Sequence, residues 1–431
     1  MRNGAYRLHE IFCPEVALVL FMANRFISNG VDWIRLGLGG ATSDLLGSAF
    51  LAASVFVAAV AIVKNYRRIP ADFIYLSLFV GFAYLLSIVA NVDTYREVMR
   101  QGLLRTTFFD GLTTYLLVRK TRDRGYIWKG IGVASWVVLM LSVVAFAVYD
   151  VGHVYRTYAS GMLFATAYFM VEWLYEDRRL MAAPSALGII LSAIGGRRSS
   201  LASLLILYVL ICANRRRYRL ILLGVTLFAA VGVFWGQIIS FFINISTTFD
   251  INSRVLRRLM TGAISDDSHR FEQWSYVFTL LSKDVGTLLG GLGIAGERHY
   301  MLAHFLHMEL SGYPHNVNVE MIGHFGVILG PLIEVFTFLV WPVRSFKKAN
   351  DANDKKILIY AMTLSSTLLF QGSYLQNKSF FLYLGCLACI LLGDWGSTDA
   401  RRRNIDLSQS IQLWGGPADV RPAVEHGGKR R

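Results

Sequence analysis

His315 is the residue whose type and position most clearly suggest chemistry in this sequence. It follows Pro314, precedes Asn316 and stands directly before an apolar stretch, with Glu320 little more than one helical turn further on. Because free imidazole has a pKa of about 6.5, a neutral histidine can take a proton from an attacking hydroxyl at neutral pH. The sequence therefore predicts a general base at His315. The alternative is a histidine at the membrane boundary whose hydrogen bonds are satisfied and which has no catalytic role.

Arginines supply the second kind of chemistry. Arg270 lies in the same polar segment, and Arg197 and Arg198 form a pair in a short turn after Gly196. A guanidinium group is permanently charged and makes bidentate contacts with phosphate oxygens. Two or three such groups can hold a pyrophosphate and stabilise the charge that develops as it leaves, without a metal or another cofactor. The alternative for the arginine pair is contact with lipid headgroups.

The elements that must position these residues are membrane spans. Of the 431 residues, 54% are hydrophobic and only 17% are charged, and the mean hydropathy is +0.45. Soluble proteins carry about 25% charged residues. The composition therefore predicts an all-α, polytopic transmembrane helical bundle. A span needs about 20 apolar residues, and about twelve stretches of the chain qualify.

We predict four regions along the chain. Residues 1–243 form spans one to nine, residues 244–316 a large and partly helical polar loop, residues 317–395 spans ten to twelve, and residues 396–431 a disordered polar tail. Five of the nine histidines lie in the loop. Within it the pattern predicts a helix from Arg270 to about Leu281, and amphipathic helices over 253–262 and 300–310.

The distribution of Lys and Arg predicts how the chain is oriented in the membrane. Basic residues follow alternate spans, in clusters at 64–68, 119–129, 178–179, 215–219, 344–356 and 401–403. Short cytoplasmic loops are enriched in such residues, so both termini are expected in the cytoplasm and the 244–316 loop outside it. The formal net charge of +14 then reflects orientation and attraction to anionic lipid. We expect no nucleic-acid partner, because no binding motif is present.

Two further patterns are weaker. Gly291 to Gly296 matches G-x-G-x-x-G, but no βαβ unit surrounds it, so the sequence favours a tight turn after Leu289 over a dinucleotide site. The C-x-x-C of Cys386 and Cys389 lies inside an apolar helix, which favours packing over zinc or redox chemistry.

Other ionisable groups keep alternatives open. His304, His307 and Glu309 have a spacing that could ligate zinc, although the pattern is not H-E-x-x-H and offers no clear further ligand. His324 and Glu334 fall inside predicted span ten, where ionisable groups are expensive. They could be packing groups, gating groups or part of a proton path.

Taken in order, these features resemble the O-antigen ligase and Wzy-type polysaccharide polymerase superfamily of bacterial inner-membrane glycosyltransferases. The resemblance covers most of the chain. It rests on short motifs that occur in the same order as in the family and are all expected on the same side of the membrane. The motifs are Gly196-Arg197-Arg198-Ser199-Ser200, the stretch from Ser268 to Trp274, Gly290 to Gly293, and His315-Asn316 followed by Glu320 and Gly326.

This resemblance implies an inverting, metal-independent transfer of a glycan from undecaprenyl pyrophosphate to an acceptor hydroxyl at the periplasmic face of the inner membrane. By the family pattern His315 activates the acceptor, while Arg270 and either Arg197 or Arg198 bind the donor pyrophosphate. The family has one arginine after a serine or threonine, so the doubled arginine is a departure. We favour Arg198, which directly precedes two serines. Asn316 and Glu320 are placed with the substrate-binding residues.

The partners implied are an undecaprenyl-pyrophosphate-linked oligosaccharide, an acceptor glycan or glycolipid, the lipid bilayer, and chain-length regulator and flippase proteins. A polymerase extends the glycan on a second lipid-linked repeat unit, whereas a ligase moves the finished glycan onto lipid A-core. We favour the polymerase, because nothing in the loop indicates a dedicated lipid A site. A lipid-linked oligosaccharide flippase is the rival from another class, and it would need polar residues along a path through many helices.

Overall fold

The structure is a computed structural model that describes residues 12–37, 45–64, 69–90, 92–148, 151–194, 198–233, 237, 240–241, 244, 268–304, 314–370 and 372–393. Every regular element in these ranges is helical, which confirms the all-α prediction for them. The predicted helix over 253–262 and the predicted disordered tail lie outside the described residues.

The first half of the chain forms helices α1 to α10. Their bounds are α1 Pro14–Gly37, α2 Leu45–Lys64, α3 Ala71–Ala90, α4 Val92–Arg100, α5 Thr113–Lys120, α6 Arg124–Val148, α7 Val151–Leu174, α8 Ala182–Ile194, α9 Arg198–Asn214 and α10 Tyr218–Val233. A π-helical turn, Arg105–Leu112, leads into α5. α1 packs against α2 and α6, and α7 packs against α6 and α8. The main apolar core lies between these helices and includes side chains of the second half, most of them in 349–390.

The second half supplies the rest of the bundle. Its helices are α11 Ser268–Leu281, α12 Val285–Gly290, α13 Gly296–His304, α14 Val317–Val335, α15 Trp341–Lys348, α16 Ala352–Ser366 and α17 Lys378–Leu392. A π-helical turn, Phe336–Val340, joins α14 to α15, and two 3-10 helices, Thr367–Leu369 and Tyr374–Gln376, lie between α16 and α17. α16 and α17 pack against each other, and they contact α9 and α5 respectively.

Four stretches of the described residues are long and apolar enough to cross a membrane. They are Gly47–Lys64, Ala71–Val89, Arg124–Ala145 and Val317–Lys348. Shorter apolar helices cover Arg179–Ser192, Ser199–Asn214 and Lys378–Leu392. Length and composition thus support a membrane protein, while the count of about twelve spans stays a prediction.

One of the twelve apolar stretches that the sequence predicts as spans, residues 98–118, is divided in the structure. α4 ends at Arg100, and Gly102 adopts a φ of 61° before the π-helical turn begins at Arg105. Glycine takes this left-handed conformation without the clash that a Cβ would cause. The hydrophobic pattern continued through this point, so the break was not predicted.

Ion pairs join connectors that the charge pattern assigns to one side. Arg124 lies 2.7 Å from Asp354, and Lys356 lies 3.1 Å from Glu176. The side chains of Arg124 and Asp354 are only 5% and 7% exposed, so removal of either would weaken the pairing of a buried charge. Contacts between distant connectors are what the alternating pattern of basic residues predicts for one end of a bundle.

Side-chain caps begin several helices around the candidate site. Asn316 begins α14, Asn377 begins α17 and Asp284 begins α12, in each case with a side-chain oxygen that accepts amide hydrogens of the first turn. Hydrogen bonds from the Thr287 hydroxyl and amide hold the pKa of the Asp284 carboxyl below its usual range. These are local signals, and the sequence carries them directly.

α14 is broken at Gly326, which has φ 78° and ψ 175°. The break leaves the carbonyls of Gly323 and His324 free, and they accept the amides of Leu292 at 2.8 Å and Gly293 at 3.1 Å. A helix can be interrupted inside an apolar bundle only where other groups satisfy the freed backbone. The glycine motif is therefore a tight turn, as expected, and its amides complete the broken helix.

Candidate functional site

Two of the predicted site residues contact the same short segment. This segment, residues 369–374, runs from the last residue of one 3-10 helix to the first residue of the next, and residue 371 within it is outside the described residues. The guanidinium of Arg270 donates a hydrogen bond to the carbonyl of Phe370 at 3.0 Å. Nδ2 of Asn316 donates to the carbonyl of Leu369 at 3.1 Å. Because Arg270 and Asn316 donate to the carbonyls of adjacent residues, the start of α11 lies beside the start of α14.

α11 is also tied to the residue that precedes His315. Nε1 of Trp274 donates to the carbonyl of Pro314 at 2.8 Å. The inner part of α11 packs on α13 and α14 through a small apolar cluster of Val277, Leu281, Met301 and Val319. Each such buried side chain contributes about 1.5–3 kcal/mol. Arg270 and His315 are therefore held on neighbouring elements.

The backbone of His315 is in an uncommon conformation. Its φ is 56°, in the left-handed region that non-glycine residues rarely adopt. Such a conformation costs about 1–3 kcal/mol and persists only where neighbouring structure imposes it. Here Trp274 holds the residue before His315, and the α14 cap holds the residue after it. Strained residues concentrate at functional sites, so the backbone independently marks His315 as a candidate.

Asn316 and Glu320 have partners inside the protein. Oδ1 of Asn316 accepts the amide of Asn318 at 2.8 Å, in addition to the contact of its Nδ2 with Leu369. Glu320 is fully buried and accepts hydrogen bonds from the Ser373 hydroxyl at 2.5 Å and from the Tyr374 amide at 3.3 Å. Direct contact of these two residues with substrate stays a prediction, and the geometry gives both a supporting role.

The sequence places Arg298 among the arginines of the polar loop but assigns it no role in the site. It is a completely buried arginine in α13, and it donates to the Ser373 hydroxyl at 2.8 Å and to Glu320 at 3.3 Å. It also donates to Gln101, in the turn after α4. A buried guanidinium needs charged and polar partners on all sides. Arg298 thus fixes the 369–374 segment against α13 and α14.

His324 joins the same network from the middle of α14. Its Nε2 accepts the amide of Ala295 at 3.1 Å and lies 2.9 Å from Glu297, and its Nδ1 lies 2.7 Å from the hydroxyl of Tyr374. All four residues are buried. Among the roles that the sequence left open, this geometry favours an internal one, in which His324 links the glycine turn to the 369–374 segment.

Within the described residues, Glu297, Glu320 and His324 form a group that could hold a metal ion, with ligand atoms that lie within 4.8 Å of one another. Arg298 already pairs with Glu320, and the Ala295 amide already occupies Nε2 of His324. Glu320 and His324 are therefore engaged by other protein groups, whereas neither carboxylate oxygen of Glu297 has a hydrogen-bond partner among the described residues, and we assign no metal to this set.

The zinc pattern in the loop is only partly described. The ring of His304 stacks on Tyr276 with centroids 4.1 Å apart. His307 and Glu309 lie outside the described residues. The described half of the pattern therefore has an aromatic contact, and the ligand hypothesis gains no support from it.

The predicted arginine pair is at the limit of the described residues. Arg197 is outside them, and Arg198 begins α9 with only its backbone described. The next two residues, Ser199 and Ser200, are buried. The choice between the two arginines stays a prediction.

The described geometry thus brings Arg270 and Asn316 to one segment. His315 is the neighbour of Asn316 in the chain, and Arg298 is the buried support of the segment. A signal for Arg298 was present in the sequence, because Glu297-Arg298 follows a glycine turn and could have been considered as an ionisable pair in apolar surroundings. Models of known protein families, curated proteins and solved structures were compared with the chain, and none matched.

Proposed function

We propose that this protein is an inner-membrane polysaccharide polymerase of the O-antigen ligase and Wzy type. It would transfer a glycan from undecaprenyl pyrophosphate to a sugar hydroxyl of a second lipid-linked repeat unit. The observation that carries the proposal is the convergence of Arg270 and Asn316, the neighbour of His315, on the adjacent carbonyls of Phe370 and Leu369. A cationic group and an imidazole on neighbouring elements suit a reaction that displaces a diphosphate with an alcohol.

In the proposed reaction His315 takes the proton of the acceptor hydroxyl as its oxygen attacks the anomeric carbon. The bond between that carbon and the pyrophosphate oxygen breaks, and the configuration inverts. The electron pair leaves with undecaprenyl pyrophosphate. Arg270 and Arg198, or Arg197 in its place, stabilise the negative charge that develops on the leaving oxygens. No cofactor takes part in these steps.

The supporting residues have a separate role in this proposal. Glu320, Arg298 and Ser373 hold the 369–374 segment, and the segment in turn holds Arg270 and Asn316. Catalytic groups need to be held close to their productive geometry by a rigid surrounding shell. Glu320 thus supports the site in this proposal, and its contact with substrate stays a prediction.

The proposal is tested with His315→Ala and Arg270→Ala in a deletion strain that depends on the protein for its surface glycan. Loss of a general base lowers a rate by about 100- to 10,000-fold, so both variants should give no long glycan. Arg179→Ala is the matched control, because Arg179 is exposed and far along the chain from the site. Membrane insertion is checked by the amount of protein in the membrane fraction. Normal glycan chain length in both site variants would refute the proposal.

The same gels separate the related activities. Products with a single repeat unit in the deletion strain indicate a polymerase. A lipid-linked polymer that never reaches lipid A-core indicates a ligase. Donor that accumulates on the cytoplasmic leaflet indicates a flippase.

A further inference from the structure

Gln273 carries a buried amide group that has no hydrogen-bond partner among the residues that the structure describes. Its side chain is 1% exposed, and both Oε1 and Nε2 are buried without a partner in the described part of the chain. Most buried side-chain polar atoms in native proteins are hydrogen-bonded, and an exception calls for an explanation such as a bound ligand. An amide offers two donors and two acceptor sites. No described residue uses any of this capacity.

The position of Gln273 places the amide at the candidate site. Arg270, Gln273 and Val277 share one face of α11, because they are three and four residues apart. Val277 packs on α13 and α14 in the small apolar cluster, and Arg270 contacts Phe370. Gln273 lies between these two anchors. The next residue, Trp274, binds the carbonyl that precedes His315.

The chemistry of the amide selects the kind of ligand. A phosphate oxygen only accepts hydrogen bonds, so it would leave Oε1 unpaired beside a negative charge. A sugar hydroxyl both donates and accepts, and can satisfy either end of the amide. We propose that Gln273 is a substrate-binding residue whose amide pairs with hydroxyl groups of the glycan. This inference rests on the proposed function and adds to it the group that recognises the sugar.

The competing explanation is an amide left unsatisfied, or bound to a single buried water. The Tm of Gln273→Met, which keeps the volume and removes the polar atoms, tests the premise that both explanations share. Replacement of an orphaned amide by an apolar group of similar shape is neutral or stabilising. The purified Gln273→Met protein should therefore have a Tm equal to that of the wild type or a few degrees above it. A Tm well below the wild type would overturn the premise that the amide lacks a partner.

The decisive measurement is the rise in Tm that two ligands cause, since a ligand that binds only the folded state raises its stability. One ligand is undecaprenyl pyrophosphate, and the other is the lipid-linked repeat unit extracted from a strain that lacks this protein. With the wild type, the repeat unit should give the larger shift. With Gln273→Met, the shift from undecaprenyl pyrophosphate should be kept and the additional shift from the sugar should be lost.

Ser275→Ala is the matched control, because Ser275 is exposed on another face of α11, and it should change neither shift. Gln273→Leu repeats the measurement if the methionine variant is poorly produced. Wild-type shifts with both ligands in the Gln273 variants would overturn the inference and leave a water or an unsatisfied amide. Loss of both shifts would also overturn it, because the contact would then be to the pyrophosphate.

Failure of the proposed function gives a different result. In that case neither ligand would raise the Tm of the wild type, or Arg270→Ala would respond to undecaprenyl pyrophosphate as the wild type does. If Arg270→Ala loses that response while Gln273→Met behaves as the wild type, the inference about Gln273 alone is wrong.

Discussion

Nε1 of Trp274 donates a hydrogen bond to the carbonyl of Pro314 at 2.8 Å, and this contact joins the helix of Arg270 to the residue that precedes His315. The two residues are 40 positions apart in the chain. This bond ties α11 to the residue before His315. The contacts of Arg270 and Asn316 with the 369–374 segment tie α11 and the start of α14 to a second element. The relative position of the cation and the imidazole depends on both.

Trp274→Phe should lower glycan transfer by about fivefold, because a neutral hydrogen bond contributes about 1 kcal/mol net. The phenyl ring keeps most of the packing, so the amount of folded protein should be unchanged. Activity is measured as the rate of glycan formation in isolated membranes. Trp341→Phe, in α15, is the control and should keep the wild-type rate. Equal rates for both variants would show that the Trp274 hydrogen bond does not position the site.

His315→Gly and His315→Ala should both be inactive but should differ in stability. Glycine adopts the φ of 56° without strain, whereas alanine carries the penalty of the left-handed region, about 1 kcal/mol. Urea or thermal unfolding of the purified proteins measures the difference. Equal stabilities would mean that the backbone at this position relaxes when the imidazole is removed.

Gly326→Ala should destabilise the protein by about 3 kcal/mol or more, since it combines a positive φ with a clash. A Cβ there would lie 2.1 Å from the carbonyl oxygen of Leu289, which is backbone and cannot move away alone. Gly290→Ala is the control, because a Cβ at Gly290 meets no described atom within 4 Å. Its Tm should be unchanged or slightly raised. A Gly326→Ala protein with the wild-type Tm would contradict the break in α14.

Arg298→Ala should destabilise the protein by about 3–5 kcal/mol, because Glu320 and Glu297 would stay buried without their cation. Ser373→Ala removes one hydroxyl from the same network and should cost only about 1 kcal/mol. Unfolding of both variants by heat or denaturant gives the comparison. Similar losses for the two variants would show that Arg298 is not the buried charge that the network requires.

Local patterns predicted much of the fold. The sequence correctly predicted where α11 ends, at Leu281, and where α14 begins, after Asn316. It also predicted the turn at the glycine motif. These features depend on hydrophobic period, caps and glycine conformations, which neighbouring residues decide. The break between α4 and α5 was missed, because an apolar composition does not reveal where one glycine at position 102 turns the chain.

The sequence by itself determined the helical class, the apolar character and the candidate roles of His315 and Arg270, because residue type and immediate neighbours carry that information. Only the tertiary structure decided that Arg298 meets Ser373, which lies 75 positions away, and that Glu320 is buried between them. It also decided that the buried amide of Gln273 has no hydrogen-bond partner within the described ranges. The burial and pairing of these side chains depend on which distant segments pack together. Local hydrophobic periodicity carries no information about that packing.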